Sequence, residues 1–214
     1  MKFLKQFILV FLLPFFGFAQ YAEHDWEERD KWMDTAFIFE KAGVTQGTYV
    51  ADIGCHEGYL SVRLANAVGA RGRVFAVDVV AHRLETLKEA LKTRDLQNVN
   101  VILGDYEDPK LPENELDVVI IMDTYHEMTN YMKILNHVNM ALKPEGTIVI
   151  VEKLKSNIKG KSRSEQTNAH SLSTKYVKEE LHKAGFKVTY KNNDLGHWKN
   201  DEDKVIWMLV AKKE

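Results

Sequence analysis

The spacing of hydrophobic positions changes along the chain, and the change separates helices from strands. Residues 25–42 place apolar side chains at helical intervals, which predicts one amphipathic helix that ends at Gly43. From residue 49 onward, short apolar runs alternate with helical patterns. The predicted strands are 49–53, 73–77, 99–103, 117–122 and 147–151, and the predicted helices between them are 60–68, 81–94 and 131–142. This alternation predicts βαβ units and a parallel sheet.

The alternation stops after the fifth strand. Residues 153–173 are polar and show no clear period, which predicts a long loop. A helix over 174–184 and two strands over 186–190 and 205–210 follow it. Because no helical pattern separates the last two strands, we expect them to pair antiparallel at an edge of the sheet.

The first residues form a segment of a different kind. Lys2 and Lys5 precede the apolar run 7–16, and Gly17 and Ala19 place small residues before Gln20. This layout is typical of a secretory signal peptide over residues 1–19, and the run is short for a membrane span. An uncleaved anchor and a buried helix are the alternatives. We therefore divide the chain into the signal peptide, a helical leader over 20–48 and a domain over 49–214.

Composition excludes several classes of protein. The chain has 214 residues, of which 45% are hydrophobic and 28% charged, so we expect one globular domain. A net charge of −2 argues against a strongly basic nucleic-acid binder. Cys55 is the one cysteine, which excludes an intramolecular disulfide and a cysteine-rich zinc site.

An acid stands at the end of each of the first four predicted strands. Asp52 precedes a turn that contains Gly54 and Gly58, and the other three acids are Asp78, Asp105 and Asp123. Ligands of doubly wound sheets bind at the carboxyl ends of the strands. Four carboxylates on one edge favour a ligand with a positive centre, amines and hydroxyls over a phosphate-rich one.

This ordered set resembles the class I S-adenosylmethionine-dependent methyltransferases over residues 49–152. The tail resembles them too, at 170–173, 177–181 and 184–186, and the 26–32 stretch resembles the leader of an exported-looking, poorly characterised subset. The resemblance implies an α/β fold with a Rossmann-like, doubly wound, seven-stranded sheet, mostly parallel with an antiparallel edge strand. It implies S-adenosylmethionine as cofactor. The cofactor-binding residues that it implies are Asp52, Gly54, Cys55, His56, Gly58, Asp78, Val79, Asp105, Tyr106 and Asp123.

Within this set, the resemblance implies that Asp52 and the two glycines border the methionine part of the cofactor. It implies that Asp78 holds the ribose and that Asp105 and Tyr106 border the adenine. One position departs from the family pattern, because His56 stands where the middle glycine of the first motif is usual. The side chain of His56 either points away from the ligand or narrows the site.

The residues after the fourth strand are the candidates for acting on the methyl acceptor. Asp123 and His126 lie where such an enzyme has its reacting centre, and a histidine can serve as a general base near neutral pH. The alternative is that His126 only packs against the following helix. His126 and Glu127 do not begin a zinc-protease motif because position 130 is Asn, and we predict no metal site.

We therefore predict an enzyme that transfers a methyl group to a small-molecule O, N or S acceptor. A non-catalytic nucleoside-ligand binding protein on the same fold is the main alternative, and a nicotinamide-dependent oxidoreductase is a weaker one. We expect no nucleic-acid partner. The basic segment 153–163 is typical of a solvated, flexible face, and a lid or a contact with an acidic substrate or a membrane surface is the alternative. The signal peptide predicts export to the periplasm or envelope, which would separate the protein from cytosolic cofactor.

Overall fold

The central element of the structure is one mixed sheet. The computed structural model describes residues 23–199 and 201–214. The predicted signal peptide, residues 1–19, lies outside them. Within the described residues the strands are β1 Tyr49–Ile53, β2 Arg73–Asp78, β3 Val99–Leu103, β4 Leu116–Met122, β5 Leu142–Lys155, β6 Phe186–Asn192, β7 His197–Trp198 and β8 Asp201–Lys213. Their order is β3-β2-β1-β4-β5-β8-β6, with β7 paired to β8.

The predicted fold class is confirmed. Strands β1 to β5 pair in parallel, and β8 runs antiparallel between β5 and β6. The described residues form eight strands rather than seven, because β7 adds a two-residue strand beside β8. Strand order reverses between β1 and β4, and ligands of doubly wound sheets bind outside such a switch point.

The helices cover both faces of the sheet. They are α1 Trp26–Asp30, α2 Thr35–Ala42, α3 Tyr59–Val68, α4 Ala81–Thr93, α5 Tyr131–Ala141, α6 Arg163–Asn168 and α7 Thr174–Lys183. Adjacent strand residues face opposite sides of the sheet, so Val50 and Ala51 belong to separate apolar clusters. Helices α1 to α4 pack into the first cluster, and α5 and α7 pack into the second.

The leader forms two helices where the sequence predicts one over 25–42. Asp34 interrupts it, because its side chain accepts a hydrogen bond from the Phe37 N–H at 2.9 Å and caps a new helix. The Arg29 side chain lies against the rings of Trp32, Tyr59 and Trp198, with its guanidinium carbon 4.4 Å from the Tyr59 ring centre. The leader thus contacts both the first helix of the sheet domain and the C-terminal strand pair.

The predicted loop over 153–173 is largely wrong. Strand β5 continues to Lys155, a short 3-10 turn covers Ser156–Ile158, and α6 follows. Ser162 caps α6 in a reciprocal pair of hydrogen bonds with Glu165, a four-residue signature that the sequence displays.

No helix in the described part of the chain combines the length and apolar character that crossing a membrane requires.

Candidate functional site

A cleft of about 360 Å³ opens at the carboxyl ends of the parallel strands. This volume lies within the usual range for small-molecule sites, which is about 300–1,000 Å³. Seven of the sequence-predicted site residues line the cleft: Gly54, His56, Asp78, Val79, Asp105, Tyr106 and Asp123. The structure therefore brings together three of the four strand-end acids with the glycine turn.

The glycine turn after β1 has a backbone conformation that residues with a side chain rarely adopt. Gly54 has φ +80°, and a Cβ there would lie 2.3 Å from Cγ2 of Thr124 on the facing loop. His56 also has positive φ, at +51°, although it is not a glycine. Burial, reinforced by the charges of Arg83 and Arg29, lowers the pKa of His56 to about 4. The cleft wall at this position therefore carries a neutral imidazole at physiological pH.

Asp78 is fixed by main-chain donors from two different loops. The His56 N–H donates to one of its carboxylate oxygens and the Val80 N–H to the other, each at 2.9 Å. A carboxylate offers about four acceptor positions, so each oxygen retains one for a further donor. The side chain is buried and lines the cleft, which suits it to accept hydrogen bonds from ligand hydroxyls.

Asp105 and Tyr106 form the outer part of the cleft. The N–H groups of Glu107 and Asp108 donate to Oδ1 of Asp105 at 2.8 and 2.9 Å, and these bonds lower the pKa of that carboxyl. Both donors use the same oxygen, so by count Oδ2 keeps its acceptor positions. Tyr106 is 69% exposed, which places an aromatic residue at the cleft entrance.

Asp52, Cys55 and Gly58 lie behind the cleft wall. Asp52 faces the same side of the sheet as Val50, toward α3, where the Ser61 hydroxyl donates to it at 2.6 Å. Burial raises the pKa of Asp52 to about 7, and the Asp78 charge adds to the effect. Burial also raises the pKa of the Cys55 thiol, which is typical of a packed residue and not of a nucleophile.

The other end of the cleft contains a buried ion pair. The Lys153 ammonium contacts Oδ1 of Asp123, and both side chains are almost fully buried. The same ammonium lies 4.4 Å from the centre of the Trp198 ring. Burial, with the charges of Lys204 and Arg29, lowers the pKa of Lys153 to about 7, although the adjacent Asp123 carboxylate opposes this shift.

His126 is oriented by Glu152, a carboxylate buried in β5. Glu152 accepts from the His126 backbone N–H at 3.0 Å and lies 2.9 Å from ring nitrogen Nδ1. Burial pulls the pKa of His126 down, but the charge and hydrogen bond of Glu152 outweigh it and the net pKa is raised. His126 itself does not line the cleft, whereas its neighbour Glu127 does.

Several site residues do not follow from the sequence analysis. The additional residues that line the cleft are Arg83, Thr124, Glu127 and Met128. Lys153 and Glu152 contact Asp123 and His126, the two candidates for acting on the methyl acceptor. Glu152 could have been found by the rule that picked out the four acids, since it follows the buried run 148–151 of β5. Lys153 lies in the segment that the sequence predicts as a loop, where a lysine gives no such signal.

Comparison with known proteins agrees with this geometry. A family model described as a methyltransferase domain, Methyltransf_31, matches residues 45–205. The demethylmenaquinone methyltransferase of Listeria welshimeri is 31% identical over 117 residues, which are 55% of this chain and 50% of that protein. The chain thus aligns with about half the length of the curated relatives that it matches.

Solved structures show the same fold at lower sequence identity. A SAM-dependent methyltransferase from Aquifex aeolicus superposes with a TM-score of 0.73 at 23% identity, covering 87% of this chain and 93% of that one. The [4+2]-cyclase SpnF superposes at 0.70 with 18% identity, covering 84% and 79%. Because a cyclase shares the fold, the fold alone does not fix the reaction. The family match covers most of the chain and includes every strand that borders the cleft, so this chain belongs to the methyltransferase domain family.

Proposed function

We propose that the protein binds S-adenosylmethionine in the cleft and transfers its methyl group to a small-molecule acceptor. The observation that carries the proposal is the main-chain clamp on Asp78 beside the glycine turn. The clamp holds a carboxylate at the position where doubly wound folds bind ribose hydroxyls. The family match and the relatives named as methyltransferases support the same reaction.

The residues around the cleft fit this cofactor chemically. Asp78, Asp105 and Asp123 make its edge acidic, which suits a ligand with hydroxyls, an amine and a sulfonium charge. We assign the ribose to Asp78, and the adenine to Asp105 and Tyr106. S-adenosylmethionine supplies a methyl group that an oxygen, nitrogen or sulfur lone pair can attack.

The chain's own residues orient the acceptor and handle its proton. Asp123 lines the cleft, and its Lys153 partner fixes its carboxylate. Glu152 accepts at Nδ1 of His126, which leaves Nε2 as the lone pair that can take a proton. We propose that Asp123 orients the acceptor and that His126 acts as its base through Nε2, which faces Glu127 at the cleft wall.

The acceptor is a small molecule with an ionisable O, N or S group. A demethylmenaquinone joins the first panel as a carbon acceptor outside the proposed O, N and S classes, because relatives carry that name. Quinols, amines, thiols and lipids complete the panel. Transfer of labelled methyl to one of these classes would identify the acceptor class.

The cofactor assignment can be tested by calorimetry on the full chain. S-adenosylmethionine and its demethylated product should bind with micromolar affinity. Asp78→Ala should weaken binding by about 100-fold, since it removes the carboxylate to which two ribose hydroxyls would donate hydrogen bonds. Asp117→Ala is the matched control: Asp117 also accepts a backbone N–H, from Tyr49 at 2.8 Å, but at the amino end of β4. Equal effects of the two substitutions would contradict the assignment.

The titration and the labelled-methyl assay together separate methyl transfer from the alternative of a non-catalytic binder. The imidazole of His56 in the cleft wall is the observation that favours the alternative. Binding of both ligands without label transfer to any acceptor would favour the binding protein. Binding of neither by the folded chain would exclude both proposals.

We further propose that residues 1–19 direct export. A reporter fusion that is active on only one side of the membrane tests this, and activity on the cytoplasmic side would refute it.

Contact of the segment 153–163 with a membrane surface also remains a proposal. Three of its five cations already pair within the chain, Lys153 with Asp123, Lys155 with Asp201, and Arg163 with Glu180. Lys159 and Lys161 are the exposed positions at which neutralisation would test it.

A further inference from the structure

Three side chains that can bind metal ions meet at the edge of the cleft. Nε2 of His126 lies 3.6 Å from Oε1 of Glu127, and Nδ1 of His170 lies 3.5 Å from the same oxygen. All three donor atoms lie within 4.8 Å of one another. These contacts are too long for strong hydrogen bonds, so the donors converge without satisfying each other.

The separations are those that one metal ion would bridge. Two donors on a tetrahedral zinc ion, each about 2.1 Å from it, are about 3.4 Å apart. The rings of His126 and His170 meet edge to face, with centres 5.7 Å apart. Small side-chain rotations at the exposed Glu127 and His170 would bring all three donors to bonding distance.

Glu152 prepares His126 for this role. Metal-binding histidines commonly donate their other ring N–H to a carboxylate, which fixes the tautomer and the ring orientation. Both carboxylate oxygens of Glu152 lie within 3.0 Å of Nδ1, and the Glu152 side chain is fully buried. The proton therefore resides on Nδ1, and the lone pair of Nε2 points toward Glu127.

We propose that His126, Glu127 and His170 form a binding site for a divalent transition-metal ion, with Glu152 as a positioning residue. Two imidazoles and one carboxylate are a ligand set for zinc and its neighbours, whereas magnesium and calcium prefer all-oxygen sites. Three protein ligands leave a coordination position open, as in catalytic zinc sites. The sequence analysis predicted no metal site because His170 is far from His126 along the chain and joins it only in the fold.

A second group of possible ligands overlaps this one but is less suitable. Asp123, His126 and Glu152 are also close together. In that group the Lys153 ammonium already contacts Asp123, and Glu152 already occupies Nδ1 of His126. An ion there would have to displace a buried ion pair, so we assign the ion to the outer group.

The site adjoins the cleft because Glu127 lines it. An ion on Nε2 would take the lone pair that otherwise serves as a base. It would act instead by lowering the pKa of a bound acceptor hydroxyl or thiol, a consequence that rests on the proposed methyl transfer. Metal binding itself does not depend on that function and is tested without cofactor.

The test is a calorimetric titration of the full chain with Zn²⁺ after removal of bound metal with a chelator. We expect one ion per chain with a dissociation constant in the micromolar range or below, and no binding of Mg²⁺. His126→Ala and His170→Ala should each weaken Zn²⁺ binding by about 100-fold or more. Glu152→Gln should weaken it by about 10- to 100-fold, while the metal-free variant still folds and keeps the wild-type affinity for S-adenosylmethionine.

His137→Ala is the matched control. His137 also pairs with one carboxylate, Asp108, at 3.6 Å, but among the described residues this pair belongs to no group of three possible metal ligands. Its Zn²⁺ affinity should equal that of the wild type. The proposal is overturned if the folded wild type does not bind Zn²⁺, or if the His126 and His170 variants bind as tightly as the His137 variant. It is also overturned if the His126, His170 and His137 substitutions all weaken Zn²⁺ binding by the same factor.

Discussion

The two ends of the cleft are built in different ways. At the end formed by β1, β2 and β3, backbone N–H groups hold the carboxylates of Asp78 and Asp105. At the end formed by β4 and β5, side chains hold one another, as in the pairs Asp123–Lys153 and His126–Glu152. The first arrangement gives a fixed surface for binding. The second places titratable groups in a buried setting where their pKa values shift, as is common at reacting centres.

The largest effect should come from removing charge at the β4–β5 end. Asp123→Asn keeps a residue that tolerates φ +55° but leaves the buried Lys153 ammonium without its counter-charge. Breaking a buried pair costs about 3–5 kcal/mol. We expect a loss of about 3 kcal/mol in the free energy of unfolding, because deprotonation of Lys153 near neutral pH limits the cost. Urea denaturation measures it.

The control for this substitution is the ion pair of Lys155, which lies on β5 as Lys153 does. Lys155 pairs with Asp201 at 3.0 Å, and both side chains are partly exposed. Asp201→Asn should cost less than about 1 kcal/mol because solvent screens the pair. If Asp123→Asn costs no more than Asp201→Asn, the buried pair is energetically equivalent to a surface pair, and the contrast between the two cleft ends fails.

The next effect concerns Asp52, the one strand-end acid that faces the core and not the cleft. With a folded-state pKa of about 7 against an ordinary value of 3.8, the folded protein binds more protons than the unfolded chain between these values. The contribution of Asp52 to stability therefore falls as pH rises through this window. Between pH 5 and pH 8, wild type should lose about 3 kcal/mol relative to Asp52→Asn.

Denaturation of both proteins at several pH values measures this difference. Comparing the two proteins removes the contribution of every other titrating group that they share. Parallel stability curves for wild type and Asp52→Asn would show that Asp52 is ionised in the fold.

The smallest effect should come from His56, where the backbone-built end of the cleft departs from glycine. His56→Gly removes a side chain from the cleft wall and places glycine at a positive φ, which glycine adopts without strain. We expect S-adenosylmethionine to bind about fivefold more tightly, which is close to 1 kcal/mol. Unchanged or weaker binding, measured by the same calorimetry, would mean that His56 does not narrow the site.

The sequence predicted the backbone-built end better than the other. Strands β1 to β4 and their terminal acids follow from short apolar runs and from the residue after each run, and both are local signals. The glycine turn is also local, since Gly54 and His56 lie within one loop.

The β4–β5 end depends on contacts between distant parts of the chain, which a single sequence does not display. Lys153 meets Asp123 and His170 meets Glu127 only because the fold joins the ends of β4 and β5 with the segment after α6. Side chains alternate between the two faces along β1, so the sequence could have placed Asp52 on the same face as Val50. That face packs against α3. Eight strands replaced seven because a two-residue strand has no period to detect.

The contact between Trp32 of the leader and Trp198 near the end of the chain has a consequence for the order of folding. On a ribosome, translation of the intervening residues takes roughly 8–30 s at about 5–20 residues per second. Until Trp198 emerges, the leader lacks one wall of its binding surface. We therefore expect the N-terminal segment to remain accessible to other proteins during most of translation and to complete its docking as one of the last events of synthesis.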